Sequence, residues 1–568
     1  EMVRRHRWRR IVAWIIGLLA AGLVFWTANA FSNGFRLAGG SLNLLEKVSA
    51  GFSTVRALQG LSLDSADLLA GGVVVLFAAA GWCAYRLGQP QRAGAEHGSA
   101  RWGRLRDLRP FMDPDIERNI WLTREHRIRI TRAARPEYQR NLNVFCIGGS
   151  GTGKSRFFVM PNLERGLSSV VVTDPKGELL RQCRPGLEEA GFRVRVLNLI
   201  DFVASDGFNP MAYLRPGHEP EDVALLVRTI IANTSTPGQK PSGGDPFWER
   251  AEAALLNALV AFVAATAPVE QRHLGEVMDL LSRMQASKDD ALSPVDELFF
   301  HAAEFGQGSE LLTYAVSQYR VYQQAAAKTA ASILVTTGAR LAPLHIPAIR
   351  RILSTDSLAL DQVGQEKTAI FAVISDSDKQ FAWLSALMFS MFFQRSVWLA
   401  DQRPDGMLPI PVMCWMDEFA NVGRLPDFEI SMATVRSRGI SAVLMIQALG
   451  QGKALYGDAW TTIMGNCDTV LFLGSQDAET RKWVSEALGK ETIRTVDSSI
   501  SHGRRGGGSR NVKTIARDLL SADEVGRLPG GEAIVLVRGL PPFRGRKLRP
   551  VTDGQRTRRK ASDMVRSG

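Results

Sequence analysis

The sequence predicts an α/β fold in which one parallel-sheet domain is split by an all-α insertion and preceded by a two-helix membrane anchor. Three observations predict it. The run GGSGTGKS, Gly148–Ser155, directly follows the apolar stretch Asn143–Ile147, so a Gly-rich turn sits between a strand and a helix as a phosphate loop requires. Continuous Val/Ile-rich runs occur on either side of a long Ala/Leu-rich stretch with helical spacing, the mark of strands buried on both faces and of an inserted helical layer. Two uncharged apolar stretches lie near the start of the chain, each close to the ~20 residues that cross a bilayer.

Composition bounds the answer. At 568 residues the chain is too long for one ordinary domain. Its net charge of +12 favours polyanionic partners, nucleic acid or an anionic membrane face. The five cysteines (Cys83, Cys146, Cys183, Cys414, Cys467) form no C-x-x-C pair and no His/Cys cluster of metal spacing, which excludes a disulfide scaffold and a zinc site.

The anchor occupies residues 1–90, with spans at about 11–30 and 66–87. Arg4, Arg5, Arg7, Arg9 and Arg10 precede the first span, and Arg86, Arg92, Arg101 and Arg104 follow or close the second. The connecting segment 31–65 carries fewer basic residues. The positive-inside rule therefore places both flanks, and with them both termini, in the cytoplasm and the 31–65 loop outside, giving a multi-pass protein of the cell (inner) membrane. Ala28-Asn29-Ala30 also reads as a signal-peptidase site, but the apolar stretch is longer than a signal core and a second span follows. Residues 91–140 read as an Arg-rich approach segment of short strands and helices packed on the domain that follows.

The nucleotide-binding domain spans 141–215 and 345–550. Strands are expected at Val144–Ile147, Ser169–Thr173, Arg193–Leu197, Thr368–Ile374, Ile410–Met416, Ser441–Ile446, Thr469–Leu473 and Ala533–Val537, with a helix at Lys154–Leu163 after the first. Strand signals stop after Phe208-Asn209-Pro210-Met211, and 216–344 reads as all-α. The Ser/Gly/Arg-rich stretch Ser498–Arg510 is expected to be flexible, with an exposed hairpin tip as its simplest form. The stretch Phe543–Gly568, with nine Lys/Arg, reads as a basic tail, flexible at least over 551–568.

The chemistry converges on ATP and Mg²⁺. The glycines of Gly148, Gly149, Ser150, Gly151, Thr152 and Gly153 let backbone N–H groups face phosphates, and the helix that follows adds its positive dipole end. Lys154 should reach the β- and γ-phosphates, and Ser155 should ligate Mg²⁺. Pro411–Met416 is an apolar strand ending in Asp417-Glu418: Asp417 would hold Mg²⁺ through water and Glu418 would polarise the attacking water. Gln447, at the tip of another strand, can sense the γ-phosphate or position water. Arg436 and Arg438 precede that strand and are candidates to complete a neighbouring subunit's site.

The stretch DEFANVGRLPDFE, Asp417–Glu429, resembles the extended Walker B signature of type IV secretion coupling proteins, the TraG/TraD-like ATPases of conjugation. GGSGTGKS, DPKGEL (Asp174–Leu179), FNPM (Phe208–Met211), DPFW (Asp245–Trp248), the LPPF-type strand end (Leu540–Phe543) and EHGSARWG (Glu96–Gly103) are also similar to that family. The resemblance covers nearly the whole chain. It implies a RecA-like P-loop domain, an all-α insertion and a membrane-anchored homo-hexamer. It further implies ATP-driven delivery of relaxase-bound single-stranded DNA, or of protein substrates, into a secretion channel, and it matches Arg436 rather than Arg438 to the trans-acting arginine. Two alternatives stand beside it: an FtsK-like duplex translocase, whose C-terminal winged-helix reader the short basic tail does not accommodate, and a nucleotide-binding docking receptor that does no pumping.

Overall fold

A computed structural model describes residues 2–40, 43–58, 60–87, 95–234, 247–284, 293–306, 308–500 and 508–549. Two units stand out: residues 1–99 with 492–516, and 100–491 with 517–568.

In the first unit the anchor consists of α1 (Met2–Leu37), α2 (Leu44–Arg56) and α3 (Ser65–Leu87). Ile15–Leu37 and Ser65–Tyr85 are long and apolar enough to cross a membrane. The first apolar helix thus extends seven residues past the expected end at residue 30, because Phe31 and Phe35 continue its apolar side. The segment expected as a loop at 31–65 contains α2, started by an Asn43/Glu46 capping box. The ends of the spans are tied together by polar groups. Asn29 bonds the Ser62 backbone in both directions, and the buried Asp67 carboxylate accepts from Ser32, Arg36 and Ser62.

Strands β10 (Lys490–Ile500) and β11 (Gly508–Asp518) pair as a two-stranded sheet. The ends of the Ser498–Arg510 stretch are therefore strand, not flexible chain; residues 501–507, Asp245-Pro246 and the tail from 550 lie outside the described residues.

The second unit is built on a nine-stranded sheet. Its strands are β3 (Val144–Gly148), β4 (Ser169–Thr173), β5 (Arg193–Asn198), β6 (Thr368–Val373), β7 (Val412–Met416), β8 (Ile440–Ile446), β9 (Thr469–Gly474), β12 (Glu532–Val537) and β13 (Phe543–Arg546), in the order β13-β12-β9-β3-β8-β7-β4-β6-β5. The seven strands from β9 to β5 are parallel; β12 and β13 close the opposite edge antiparallel. Every residue of β3, β4, β6, β7 and β8 is buried, which is what continuous apolar runs covered by helices on both faces require. The approach segment contributes a small antiparallel pair, β1 (Asn119–Trp121) and β2 (Arg127–Arg129). Its Leu108, Phe111, Ile120 and Ile128 join one core layer with Val144, Cys146 and Phe158.

Two expectations need correcting. The segment after Lys154 is not a plain α-helix: Ser155–Val159 is π-wound before the turn Met160–Leu163. The basic tail does not begin at Phe543. Phe543–Arg546 is β13, with Phe543 and Gly545 buried and Arg544 and Arg546 exposed, so Leu540–Pro542 belong to the turn after β12 and the Phe of LPPF opens β13.

Among the described residues no strand occurs between β5 and β6. That stretch holds helices Glu219–Thr234, Phe247–Thr266, Leu274–Ser282, Pro294–Phe305, Glu310–Gln323 and Ala327–Leu341. Helix Glu219–Thr234 packs on helix Ala382–Asp401 of the sheet layer. The chain entering and leaving the insertion is clasped at Gly207: Phe208 N donates to Ile352 O, Ser357 and Leu358 N donate to Gly207 O, and Ser357 Oγ accepts from Gly207 N. A side chain at Gly207 would meet Thr355 Oγ1 at 2.2 Å, so only glycine permits this approach.

Candidate nucleotide site

Parallel strands bring their C-terminal ends to one edge, the place where open α/β sheets bind ligands. There β3 ends in Gly148 and the phosphate loop, β4 in Asp174, β7 in Asp417 and Glu418, and β8 in Gln447. They wall a cleft of about 730 Å³ lined by Gly149, Gly151, Lys154, Asp417, Glu418 and Gln447 among others.

The loop has the backbone a phosphate cradle needs. Gly151 and Gly153 have φ of +76° and +83°, and a Cβ on Gly153 would lie 2.2 Å from the Phe157 ring. Gly149 N donates to Gly474 O at 2.9 Å, and Thr152 Oγ1 donates to Gly149 O at 2.7 Å. Lys154 Nζ donates to Gly148 O at 2.8 Å and lies 3.1 Å from Glu418 Oε1. Ser155 Oγ donates to the Asp417 carboxylate. The lysine of one motif and the two carboxylates of the other thus meet across 264 positions of sequence.

Asp417 is buried, and burial pushes its carboxyl above the ordinary range, against the pull of the Ser155 hydroxyl and Lys154. Its backbone oxygen accepts from Thr173 Oγ1 at 2.6 Å, which fixes β7 to β4. Glu418 has φ +50°, a left-handed conformation that costs a non-glycine residue about 1–3 kcal/mol. The next residue holds it there: Phe419 is fully buried and stacks on Tyr456 and Trp460. Gln447 Nε2 donates to Glu418 Oε2 at 3.0 Å, so the amide is spent on orienting the carboxylate. Asp174 of DPKGEL accepts from Glu178 N and Leu180 N and caps the following helix.

Arg436 is not part of this cluster. It is exposed on the turn Val435–Arg438 before β8, whereas Gln447 follows β8. At about 3.3 Å per residue the seven residues of β8 put roughly 23 Å between the two ends. Arg438 makes a paired contact with Asp401 through Nε and Nη2, both at 2.9 Å. Motif reading did not reach Gln451, whose Oε1 accepts from Gln447 N at 2.8 Å, nor Lys379, which lines the cleft; Lys176, inside DPKGEL, lines it as well. The recurrence of Gln four residues after Gln447 was the available signal for the first.

Residues 112–562 match the family model described as "Type IV secretory system Conjugative DNA transfer". The chain belongs to that family. Its function is accordingly that of a coupling protein in type IV secretory DNA transfer. It is 26% identical to the conjugal transfer protein TraG of Escherichia coli, over 79% of this chain and 76% of that one. It is 25% identical to TraG of Rhizobium radiobacter, over 94% and 88%. The fold is that of the conjugative coupling protein TrwB: an unbound form of TrwBdeltaN70 superposes with a TM-score of 0.55 at 16% identity, covering 82% of this chain and 96% of the TrwBdeltaN70 chain. A TrwB structure in complex with ADP and Mg²⁺ superposes with a TM-score of 0.51 at 15% identity, covering 71% and 84%.

Proposed function

We propose that this coupling protein hydrolyses ATP at the cleft and uses that cycle to move relaxase-bound single-stranded DNA, or a protein substrate, into a type IV secretion channel. The observation that carries the reading is the meeting of Lys154 with Glu418 and of Ser155 with Asp417 in one cleft beside the Gly148–Ser155 backbone. TrwB, which shares the fold, has been crystallised with ADP and Mg²⁺.

In this reading the loop from Gly148 to Gly153 holds phosphates through backbone N–H groups, and Lys154 adds a cation beside them. Ser155 and, through water, Asp417 would hold Mg²⁺; their oxygen donors suit that hard cation, which neutralises charge on the phosphate oxygens. Glu418, turned by Phe419 and oriented by Gln447, accepts the proton of the attacking water. Arg436 lies too far from its own cleft to serve it. It reaches the cleft of a neighbouring copy in a homo-hexamer, where it stabilises transition-state charge. Both ends of the chain lie on the cytoplasmic side of the inner membrane, where ATP is present, with α1 and α3 as spans. Contact with DNA is to phosphates, hence sequence-tolerant and salt-sensitive.

The test is ATP turnover by the purified full-length protein with and without single-stranded DNA. Lys154→Ala should abolish turnover. Glu418→Gln should retain ATP while slowing turnover by about 10²–10⁴-fold. Normal hydrolysis by either variant would refute the assignment of the site.

A further inference from the structure

We infer that Lys547 is a positioning residue for phosphate binding, acting from behind the loop; the inference rests on the proposal that the cleft takes ATP. Lys547 belongs to the basic run after β13 and yet is only 6% exposed. Its Nζ donates to Thr152 O at 2.9 Å and to Leu473 O at 2.7 Å, and its backbone N donates to Gly531 O at 2.8 Å. The ammonium therefore clamps the phosphate loop to the end of β9, from a segment placed by the edge pair β12–β13. Among the described residues it makes no ion pair, and burial lowers its affinity for its proton.

A buried ammonium held by carbonyls alone is a costly arrangement unless negative charge is brought near it. The geometry indicates the source of that charge. Thr152 O and Gly153 N belong to one planar trans peptide, so when the carbonyl points at Lys547 the N–H points the opposite way. Gly153 lines the cleft. A cation on the carbonyl polarises the peptide and makes its N–H a stronger donor, and a phosphate accepting from that N–H supplies the countercharge. Lys154 Nζ donates to Gly148 O and Lys547 Nζ to Thr152 O, which places two ammonium groups about one short stretch of backbone.

The experiment uses the full-length protein in nanodiscs, wild type beside Lys547→Met, Lys547→Arg and Lys154→Ala, titrated with MgATP, MgADP and AMP. Lys547→Met should weaken MgATP about tenfold or more, MgADP less and AMP least, and Lys547→Arg should recover most of the loss. The melting temperature of Lys547→Met without nucleotide should stay at or above that of wild type, because an unpaired buried charge is gone, while the rise produced by MgATP shrinks. A brace without electrostatic function would instead lower the nucleotide-free melting temperature and weaken all three ligands alike, which would overturn the inference. So would MgATP affinity within twofold of wild type. In wild type, MgATP should slow amide hydrogen exchange at 543–547 together with 148–155; unchanged exchange at 543–547 also overturns it. If wild type shows no saturable MgATP binding, the ATP reading itself fails, and Lys154→Ala will then match wild type.

Discussion

Gln447 and His126 show how single side chains set measurable properties here. The Gln447 amide and the Lys154 ammonium hold the two oxygens of Glu418, at 3.0 and 3.1 Å. Gln447→Leu leaves one oxygen free to rotate, so kcat for ATP should fall ten- to hundredfold while KM stays within about twofold, as steady-state kinetics will show. His126 is buried against Phe543 and shares a 2.8 Å hydrogen bond with Thr123 Oγ1. Burial lowers its pKa below 6.5. The folded protein therefore resists a proton that the unfolded chain accepts, so this group's contribution is whole above pH 6.5 and declines as pH falls toward the folded value, by up to about 1.4 kcal/mol per pH unit. Denaturant unfolding at pH 7.5 and 5.5 should show a smaller acid loss in His126→Gln than in wild type.

Trp415 of β7 packs edge-on against Phe158, 5.3 Å between ring centres, and so ties the strand before Asp417 to the π-wound turn after Lys154. Trp415→Ala should cost about 3–5 kcal/mol in chemical unfolding, with a weaker hold on nucleotide as the two motifs drift apart. The central strands β3, β4, β6, β7 and β8 were legible because each is an almost continuous apolar run bounded by turn residues. Other elements were hidden for physical reasons. In β13 burial alternates with exposed Arg544 and Arg546, and period two over four residues disappears inside a basic stretch. The helix α2 sits in a segment too mixed in polarity to stand out, although Asn43 and Glu46 spelled its start. The π-winding of Ser155–Val159 has no composition signal. Lys154, Asp417 and Glu418 were readable because each motif is local; Lys547 was not, because it meets the loop across 395 positions and sits on no pattern.

At the scale of the assembled protein, the polarity of the sheet keeps Arg436 away from its own cleft. The cleft occupies the C-terminal edge of β3 and β7, and Arg436 the start of β8, so the proposed function assigns this arginine to a neighbouring copy. Mixing Arg436→Ala with Lys154→Ala chains, each inactive alone, should restore ATP turnover to roughly a sixth to a quarter of wild type, on the order expected when an intact cleft faces an intact arginine in a fraction of random junctions. No recovery after subunit exchange, verified by crosslinking, would place the arginine's role within its own chain. The seam at Gly207 bears on how such chains diversify. Because the outgoing and returning polypeptide run side by side there, the helical layer joins the sheet through one doorway. A different layer can be grafted at that doorway as long as it presents a matching face to helix Ala382–Asp401. Exchange of that single cassette would leave every residue of the cleft in place.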